Sequence, residues 1–298
     1  MYLNQKRIIL KRGAHCTLFV FGDTQKGAEG YKKEMWQEFV HDFKTTPNAY
    51  ALGLGDYGDF LRPSLRCKVA EVLQQDGDAR TQLDNIVRKK IDEIADEMMF
   101  MKGKIISMHS GHHEWDFKDG TNSSQYLCNV LDSTYLGWSG YTVLKFQGEE
   151  SKNGSKGNGM AVKIYSTHGD GGSPFSSGDL AQLEKKIAPY WVADLYLRGH
   201  SSKGEMAPIE LNDVMIRGTL RFIKKTRWIV NVPGMMNGYV EKHTSYVEYK
   251  NMPPACLGYA KIDFNHSNFR TLSDDGKQVT GLKMQPIIVS PHVYGNNG

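Results

Sequence analysis

The sequence predicts an α/β fold, and two features of its order carry this prediction. Short apolar runs rich in β-branched and aromatic residues alternate with longer segments of helical periodicity. Several of these runs end in glycine next to a polar side chain, which is typical of strands that end at the ligand-binding edge of a sheet. After residue 204 the pattern alternates with little helical periodicity, which predicts a second, mostly antiparallel sheet.

The first elements set the pattern. Thr17 to Phe21 is predicted to be a strand, an amphipathic helix follows, and Ala49 to Leu54 is predicted to be the next strand. This strand-helix-strand order implies a parallel pair with a right-handed crossover. The later predicted helices are Ser64 to Gln75, about Thr81 to Met101, Ser123 to Leu131, and one that starts near Ser177 and stops before Pro189; the later predicted strands are Lys104 to Met108, Tyr141 to Phe146, Met160 to Tyr165 and Val192 to Leu197.

Composition narrows the function classes. The chain has 298 residues, 40% of them hydrophobic, which is enough to bury a large core. A net charge of +4 is too small to establish a nucleic-acid partner without a localised patch. The four cysteines form no CxxC pair, which argues against structural zinc and for reduced thiols. With no signal peptide and no run of about 20 apolar residues, we expect a cytoplasmic protein without a membrane partner.

Five predicted strands end in glycine next to side chains that can bind metals. The residues at these ends are Asp23 and Gln25; Asp56 and Asp59; His112, His113 and Glu114; His168 and Asp170; and His200. Any one pair is common in turns, but a parallel sheet would bring five such ends together at one edge. Mixed carboxylate, amide and imidazole ligands suit Mn, Fe or Zn. Six candidate ligands without cysteine indicate a two-metal hydrolytic centre rather than structural zinc.

The order of these motifs resembles that of the calcineurin-like metallophosphoesterase family. That family has Asp-x-His, Gly-Asp-x-x-Asp, Gly-Asn-His-Glu/Asp, a lone His and Gly-His-x-His in this order. The corresponding stretches here are Asp23-Thr-Gln25, Gly55-Asp-Tyr-Gly-Asp59, Gly111-His-His-Glu114, His168 and Gly199-His-Ser-Ser202. The matches span roughly residues 17 to 202.

The resemblance implies a single domain over residues 1–298: a sandwich of two mixed β-sheets flanked by helices, with the ligand motifs in 17–202 and the second sheet from 203–298. By position, it implies that one metal is held by Asp23, Gln25 and Asp56. The other would be held by Asp56, His112, His168 and His200. His113 matches the family's catalytic histidine, and Asp59 matches the carboxylate that orients it.

Three positions depart from the family pattern. Gln25 replaces a histidine, although an amide oxygen can still ligate a metal. His112 replaces an asparagine, which adds an imidazole to the second site. Ser202 replaces the final histidine, which leaves the first metal with fewer ligands unless His243 substitutes. A catalytically weak or inactive metal-binding scaffold is therefore an alternative to an enzyme.

The resemblance implies hydrolysis of a phosphate ester by a metal-activated hydroxide, with two divalent ions, Mn or alternatively Fe or Zn, and with His113 as general acid. The substrate is left open between a nucleic-acid or nucleotide phosphodiester and a phosphomonoester or phosphoprotein. Arg62 and Arg198 are candidates for contacting substrate phosphate, although exposed arginines are more often simply solvated. The oligomeric state is not predicted.

Two further features have competing interpretations. The stretch from Arg221 to Trp228 interleaves cations with aromatic residues, as single-strand nucleic-acid binders do, but the solvated face of a hairpin is the favoured interpretation. His109 can support the site, but packing in the core is favoured. Asp170 has two alternative roles: it contacts a metal-binding residue from outside the ligand set, or it forms a turn.

Overall fold

The structure is a computed structural model that describes residues 1–10, 14–60, 77–148, 160–173, 175, 177–215, 220–242, 244–265, 270–272, 278–280 and 283–290. The strands in these ranges are β1 (Tyr2–Leu10), β2 (His15–Phe21), β3 (Ala49–Gly53), β4 (Ile105–Met108), β5 (Thr134–Tyr135), β6 (Ser139–Gly148), β7 (Met160–Thr167), β8 (Leu195–Arg198), β9 (Glu205–Met215), β10 (Arg221–Asn231), β11 (Tyr259–Asn265), β12 (Arg270–Leu272), β13 (Gln278–Thr280) and β14 (Lys283–Val289).

The helices in the same ranges are α1 (Lys33–Thr45), α2 (Gly77–Met98), α3 (Ser123–Val130), α4 (Gly178–Gln182) and α5 (Tyr246–Tyr249). A 3₁₀ turn, Met99–Met101, continues α2, and a π-helical turn, Leu183–Ile187, continues α4. The predicted helices at 81–101 and 123–131 are therefore confirmed to within a few residues. The predicted helix at Ser64 to Gln75 lies outside the described residues.

Two mixed six-stranded sheets form the body of the fold, as predicted. The first has the strand order β14-β11-β2-β3-β4-β5, and its strands β2 to β5 run parallel. The second has the order β1-β6-β7-β8-β10-β9, in which β7, β8 and β10 are parallel neighbours. Strands β12 and β13 form a separate two-stranded ribbon. The predicted fold class, two mixed β-sheets flanked by helices, is confirmed.

Side-chain alternation along the strands produces the layers. In β2, Phe19 and Phe21 face the core that contains α1, α2 and α3, whereas Leu18 and Val20 face the core between the sheets. This period of two is expected for a strand with both faces covered. A smaller hydrophobic cluster covers the outer face of the second sheet, where Tyr196 packs against Leu183, the residue that follows α4. The order of layers is therefore helix, sheet, sheet, helix.

The C-terminal portion is not a sheet of its own, so that part of the prediction is wrong. Strands β9 and β10 extend the second sheet beside β8, whereas β11 and β14 extend the first sheet beside β2. The alternation that predicted strands after residue 204 was correct, but alternation does not determine which neighbours a strand pairs with. The second sheet also includes β1, β6, β7 and β8, all of which precede residue 203.

Among the described residues, no helix is long and apolar enough to cross a membrane. Three of the four cysteines, Cys16, Cys128 and Cys256, are free thiols. Cys67 lies outside the described residues.

Candidate metal centre

The five predicted strand ends meet at one end of the sandwich, but they come from two sheets and not from one. Strands β2, β3 and β4 belong to the first sheet, and β7 and β8 belong to the second. The N–H of Asp23 donates to the carbonyl of Gly55 within the first sheet, and the N–H of His200, from the second sheet, donates to Oδ2 of Asp23, 2.9 Å away. The expectation of a single parallel edge is therefore corrected to two facing edges.

Four of the predicted ligands form a compact cluster. Asp56, His112, His168 and His200 each offer a ligand atom, and these atoms all lie within 4.8 Å of one another. The Nε2 atom of His168 is 3.0 Å from Nδ1 of His112 and 3.4 Å from Oδ2 of Asp56. The imidazole centroids of His112 and His200 are 4.1 Å apart.

Asp56 is held rigidly at the bottom of this cluster. It is 2% exposed, and its Oδ1 accepts the backbone N–H of His113 at 2.8 Å. Its Oδ2 is buried and has no hydrogen-bond partner among the described residues. Gly111 explains the close fit, because a Cβ there would lie 2.1 Å from Oδ1 of Asp56. A buried carboxylate oxygen without a hydrogen bond is costly, unless a cation binds it.

His168 is oriented so that one ring nitrogen faces the cluster. Its Nδ1 lies 2.7 Å from the carbonyl oxygen of Leu54. Because a carbonyl can only accept, Nδ1 carries a proton, and Nε2 is the atom available as a metal ligand. Hydrogen bonds of this kind fix the tautomer of metal-binding histidines. Leu54 follows β3, so the end of the same strand that presents Asp56 also orients His168.

Burial and neighbouring charges shift the pKa values of the clustered residues. Burial, together with the neighbouring His168 and His112, lowers the pKa of His200 to about 4. Burial and His168 also lower the pKa of His112, so both rings are neutral near pH 7. Burial would lower the pKa of His168, but the carboxylates of Asp56 and Asp23 raise it to about 9. Burial opposes ionisation of Asp56, yet its contact with His168 keeps its pKa below the usual range.

Backbone strain is concentrated at the predicted site. Nine described non-glycine residues have a positive φ, and five of them are at predicted site positions: Asp23, Gln25, Asp56, His200 and Ser202, with φ between 42° and 68°. Left-handed backbone is uncommon for side chains other than Asn, Asp and His, and it is often found where a loop presents functional groups. These positive-φ turns follow β2, β3 and β8, three of the five strands that end at the site.

The predicted first metal site is less complete. Asp23 and Gln25 are both buried beside the cluster, and the N–H of Gln25 donates to the carbonyl of Asp56 at 2.9 Å. Burial, and to a smaller extent Asp56, raises the pKa of Asp23 to about 6. Ser202 is also close, because a Cβ on Gly234 would contact both Ser202 and Asp23. Asp23 is not among the four clustered residues, so a cation bound by Asp23, Gln25 and Asp56 stays a prediction. The alternative ligand His243 lies outside the described residues.

The predicted catalytic pair is in contact. Nδ1 of His113 lies 3.0 Å from Oδ1 of Asp59, and both side chains are partly exposed. Glu114 is turned inwards, where its Oε1 accepts the N–H of Gly111 at 3.2 Å. Burial raises the pKa of Glu114 to about 7. Glu114 thus holds the loop that carries His112 and His113.

The two arginines predicted to bind substrate have different outcomes. Arg62 lies outside the described residues. Arg198 is 3% exposed, and its guanidinium donates to the carbonyls of Asp170 and Gly171 and contacts the carboxylate of Asp179. Its donors are used inside the protein, so the structure contradicts a substrate-binding role. The prediction failed because an arginine beside a predicted site was assumed to be exposed.

The other open alternatives also have structural answers. His109 is completely buried; its Nδ1 donates to the carbonyl of Gly137 and its Nε2 accepts from Ser166, so it packs as favoured. The side chain of Asp170 is 88% exposed, and its Oδ1 lies 3.8 Å from Nε2 of His112. The stretch at 221–228 is half of the β9–β10 hairpin, as favoured, and Lys225 there pairs with Asp213.

Sequence reasoning missed Trp138. Its ring is edge-on to His112 and His168, with centroids 4.7 and 5.1 Å away, and it remains 40% exposed. Its carbonyl accepts the N–H of His168 at 3.0 Å. The sequence feature that indicates Trp138 is a single aromatic residue between Gly137 and Gly140, in the turn before β6.

The donor set fits a divalent metal ion. Three imidazoles and a carboxylate are ligands for Zn, Fe or Mn, and one ligand atom, Oδ2 of Asp56, is buried without a hydrogen bond. The described residues therefore contain a His/Asp group that can hold a metal.

Comparisons with known proteins give distant structural neighbours. Vps29 from Chaetomium thermophilum aligns with 94% of this chain and 99% of its own, at 9% identity and a TM-score of 0.38. Vacuolar protein sorting 29 from Cryptosporidium parvum aligns with 92% of this chain and 99% of its own, at 13% identity and a TM-score of 0.35. A predicted phosphoesterase from Streptococcus pneumoniae aligns with 93% and 99% of the two chains, at 14% identity and a TM-score of 0.29.

No protein-family model matches the sequence, and no curated protein matches it.

Proposed function

We propose that the chain is a metal-dependent phosphoesterase of the calcineurin-like type that hydrolyses a phosphodiester. One observation carries the proposal: the Asp56, His112, His168 and His200 cluster lies directly beside the His113–Asp59 pair. Asp56 joins the two, because its Oδ1 accepts the N–H of His113 while its Oδ2 belongs to the cluster. A cation site beside a proton donor supplies the components that phosphate ester hydrolysis uses.

The four clustered residues would hold one divalent ion, and Asp23, Gln25 and Asp56 would hold a second. Bound divalent ions would offset the charge of the phosphoryl oxygens and lower the pKa of a water that attacks phosphorus. The protein's own contribution is to keep the ligands in place. The Leu54 carbonyl fixes the ring of His168, and the backbone N–H of His200 fixes the carboxylate of Asp23.

His113 would act as the general acid. Its Nδ1 faces Asp59, which fixes the tautomer and the orientation of the ring. The other ring nitrogen, Nε2, would give its proton to the leaving oxygen of the ester. The backbone of His113 is tied to Asp56, so the acid and the metal ligands keep a constant spacing. General acid catalysis of this type is worth about 10²–10⁴-fold in rate.

The substrate is proposed to be a nucleic-acid or nucleotide phosphodiester. On the β9–β10 hairpin, Lys224, Lys225 and Phe222 are exposed, but they lie toward the end of β10 opposite Asn231, which pairs with Arg198 beside the site. Lys225 is paired with Asp213, and Trp228 packs against the core between the sheets, so neither is fully available. A phosphomonoester is the alternative substrate class.

A metal-binding scaffold without catalysis is the second candidate function. Ser202 stands where the family has its final metal-binding histidine, and Asp23 lies outside the four-residue cluster. One bound ion in place of two would reduce or abolish hydrolysis, while the surface around the site would remain intact.

The experiment that tests the proposal is a turnover assay of the purified chain with added Mn²⁺, Fe²⁺, Zn²⁺ or Mg²⁺. Bis-p-nitrophenyl phosphate, p-nitrophenyl phosphate and single-stranded DNA are compared at the same metal concentration. Metal-dependent hydrolysis of the diesters above that of the monoester supports the proposal. Demonstrated metal binding without turnover of any substrate would support the scaffold.

A further inference from the structure

The loop after His168 is folded onto a buried arginine. Arg198 is the last residue of β8, and one arm of its guanidinium, Nη2, donates to the carbonyls of Asp170 and Gly171, each at 2.8 Å. The backbone of Gly169, with φ of +97°, packs on the side chain; a Cβ there would lie 2.8 Å from Nε of Arg198. The arginine thus lies beneath the three residues that follow His168.

The other arm of the guanidinium is anchored. Nη1 of Arg198 lies 3.3 Å from Oδ1 of Asp179, which is completely buried in the first turn of α4. Asp179 also accepts the N–H of Ser173 at 3.0 Å and pairs with Lys203 at 3.1 Å. Lys203 itself donates to the carbonyls of Ser173 and Phe175. The two cations therefore hold different parts of the same loop through one carboxylate.

Arg198 connects two of the clustered histidines. It is two residues before His200, and in the parallel pairing of β7 with β8 it lies opposite Thr167, the residue before His168. The rings of His168 and His200 have centroids 5.0 Å apart. The same loop carries Asp170, whose carboxylate faces His112. Any shift of the guanidinium would therefore be transmitted to both strand ends that present imidazoles.

We propose that Arg198, anchored by Asp179, is a positioning residue that sets the geometry of the His168 and His200 ligands and thereby the affinity of the metal centre. The inference rests on the proposed function, because it requires that these histidines bind a metal. It differs from a general role in stability: Lys203 shares Asp179 but donates to the carbonyls of Ser173 and Phe175, further along the loop, so the two cations separate the two roles.

The variants follow from this difference. Arg198→Lys keeps the positive charge but cannot hold two carbonyls and a carboxylate at once, because an ammonium lacks the planar fork. Arg198→Met removes the charge and keeps the stem. Lys203→Met is the matched control, because it removes the other cation of Asp179. Each protein is purified, stripped of metal with a chelator, and titrated with Mn²⁺ by calorimetry and with Co²⁺ by visible absorption.

The expected result is a loss of about 10–100-fold in Mn²⁺ affinity for Arg198→Lys, as for other residues that orient metal ligands. The Co²⁺ absorption bands should also change in shape, because the ligand geometry changes. Lys203→Met should bind both metals with wild-type affinity and the same Co²⁺ bands, whatever its thermal stability.

Each other outcome has a defined meaning. If the wild-type protein binds no metal, the proposed function fails, and this inference fails with it. If the wild type binds metal and both Arg198 variants bind it equally well with unchanged Co²⁺ bands, only the positioning role is overturned. If both Arg198 variants fail to fold while Lys203→Met folds, Arg198 serves the stability of the whole fold, which also overturns the positioning role.

Discussion

Nδ1 of His113 lies 3.0 Å from Oδ1 of Asp59, and this contact separates the task of donating a proton from the task of holding a metal. Neither residue belongs to the Asp56, His112, His168 and His200 cluster. Each function can therefore be removed without the other.

The first prediction concerns turnover. His113→Ala should lower kcat for a phosphodiester by about 10²–10⁴-fold, because the leaving oxygen loses its proton donor. Asp59→Asn should lower kcat less, because the imidazole remains but its orientation is lost. Calorimetric titration with Mn²⁺ should give wild-type affinity for both variants. Unchanged kinetics in His113→Ala would exclude His113 from the mechanism.

A second prediction uses the closest backbone approach in the site. Gly111→Ala places a Cβ 2.1 Å from Oδ1 of Asp56, so the carboxylate must move. Mn²⁺ affinity should fall by about 10–100-fold, as when other supports of metal ligands are lost. Gly172→Ala is the control, because nothing lies within 4 Å of a Cβ at that position. Equal affinities for the two variants would contradict the placement of Asp56.

The third prediction is a pH dependence of stability from His109. Burial lowers the pKa of this completely buried imidazole to about 4, against an ordinary value of 6.5. Above pH 6.5 the ring is neutral in both the folded and the unfolded chain, so it adds no pH dependence. As the pH falls from 6.5 to 4, the unfolded chain takes up a proton that the folded chain does not, and folding stability is lost.

His109→Gln cannot take up that proton. Urea unfolding of the metal-free wild type should lose about 2–3 kcal/mol more between pH 7 and pH 4.5 than His109→Gln loses. The exposed His41 on α1 gives the control, because His41→Gln should follow the wild type. Parallel pH profiles for wild type and His109→Gln would show that His109 is not buried in its neutral form.

A fourth prediction uses Trp138 as a reporter. Its ring contacts His112 and His168, so paramagnetic Co²⁺ in the cluster should quench its fluorescence. Trp138→Phe should remove most of this quenching and retain Co²⁺ affinity measured by calorimetry, because the ring offers no ligand atom. Quenching that persists in Trp138→Phe would place the bound ion elsewhere, near another of the five tryptophans.

Local sequence patterns predicted the strand ends because each depends on adjacent residues. An apolar run followed by glycine and a carboxylate or imidazole was enough to locate Asp56, His168 and His200, and the structure brings these three together. Asp56 and His200 have positive φ, and at His168 the positive φ falls on the neighbouring Gly169. Site residues that lie within a short local sequence motif were therefore predictable.

The parts that failed depend on residues far apart in the chain. Pairing between distant strands decides which sheet β9, β10 and β11 join. Strand β10 pairs with β8, more than 30 residues earlier in the chain, and β11 pairs with β2, more than 200 residues earlier. Arg198 was misplaced because its partner Asp179 lies on another element. Trp138 was missed because its contacts with the histidines arise only when the two sheets face each other.

Calorimetric titration of the metal-free chain with Mn²⁺ and Zn²⁺, beside His168→Gln, measures directly whether the clustered residues bind a metal. We expect at least one divalent ion per chain for the wild type and a loss of that binding in His168→Gln, because Nε2 of His168 faces His112 and Asp56. Absence of binding by the wild type, or identical binding by His168→Gln, would contradict this expectation.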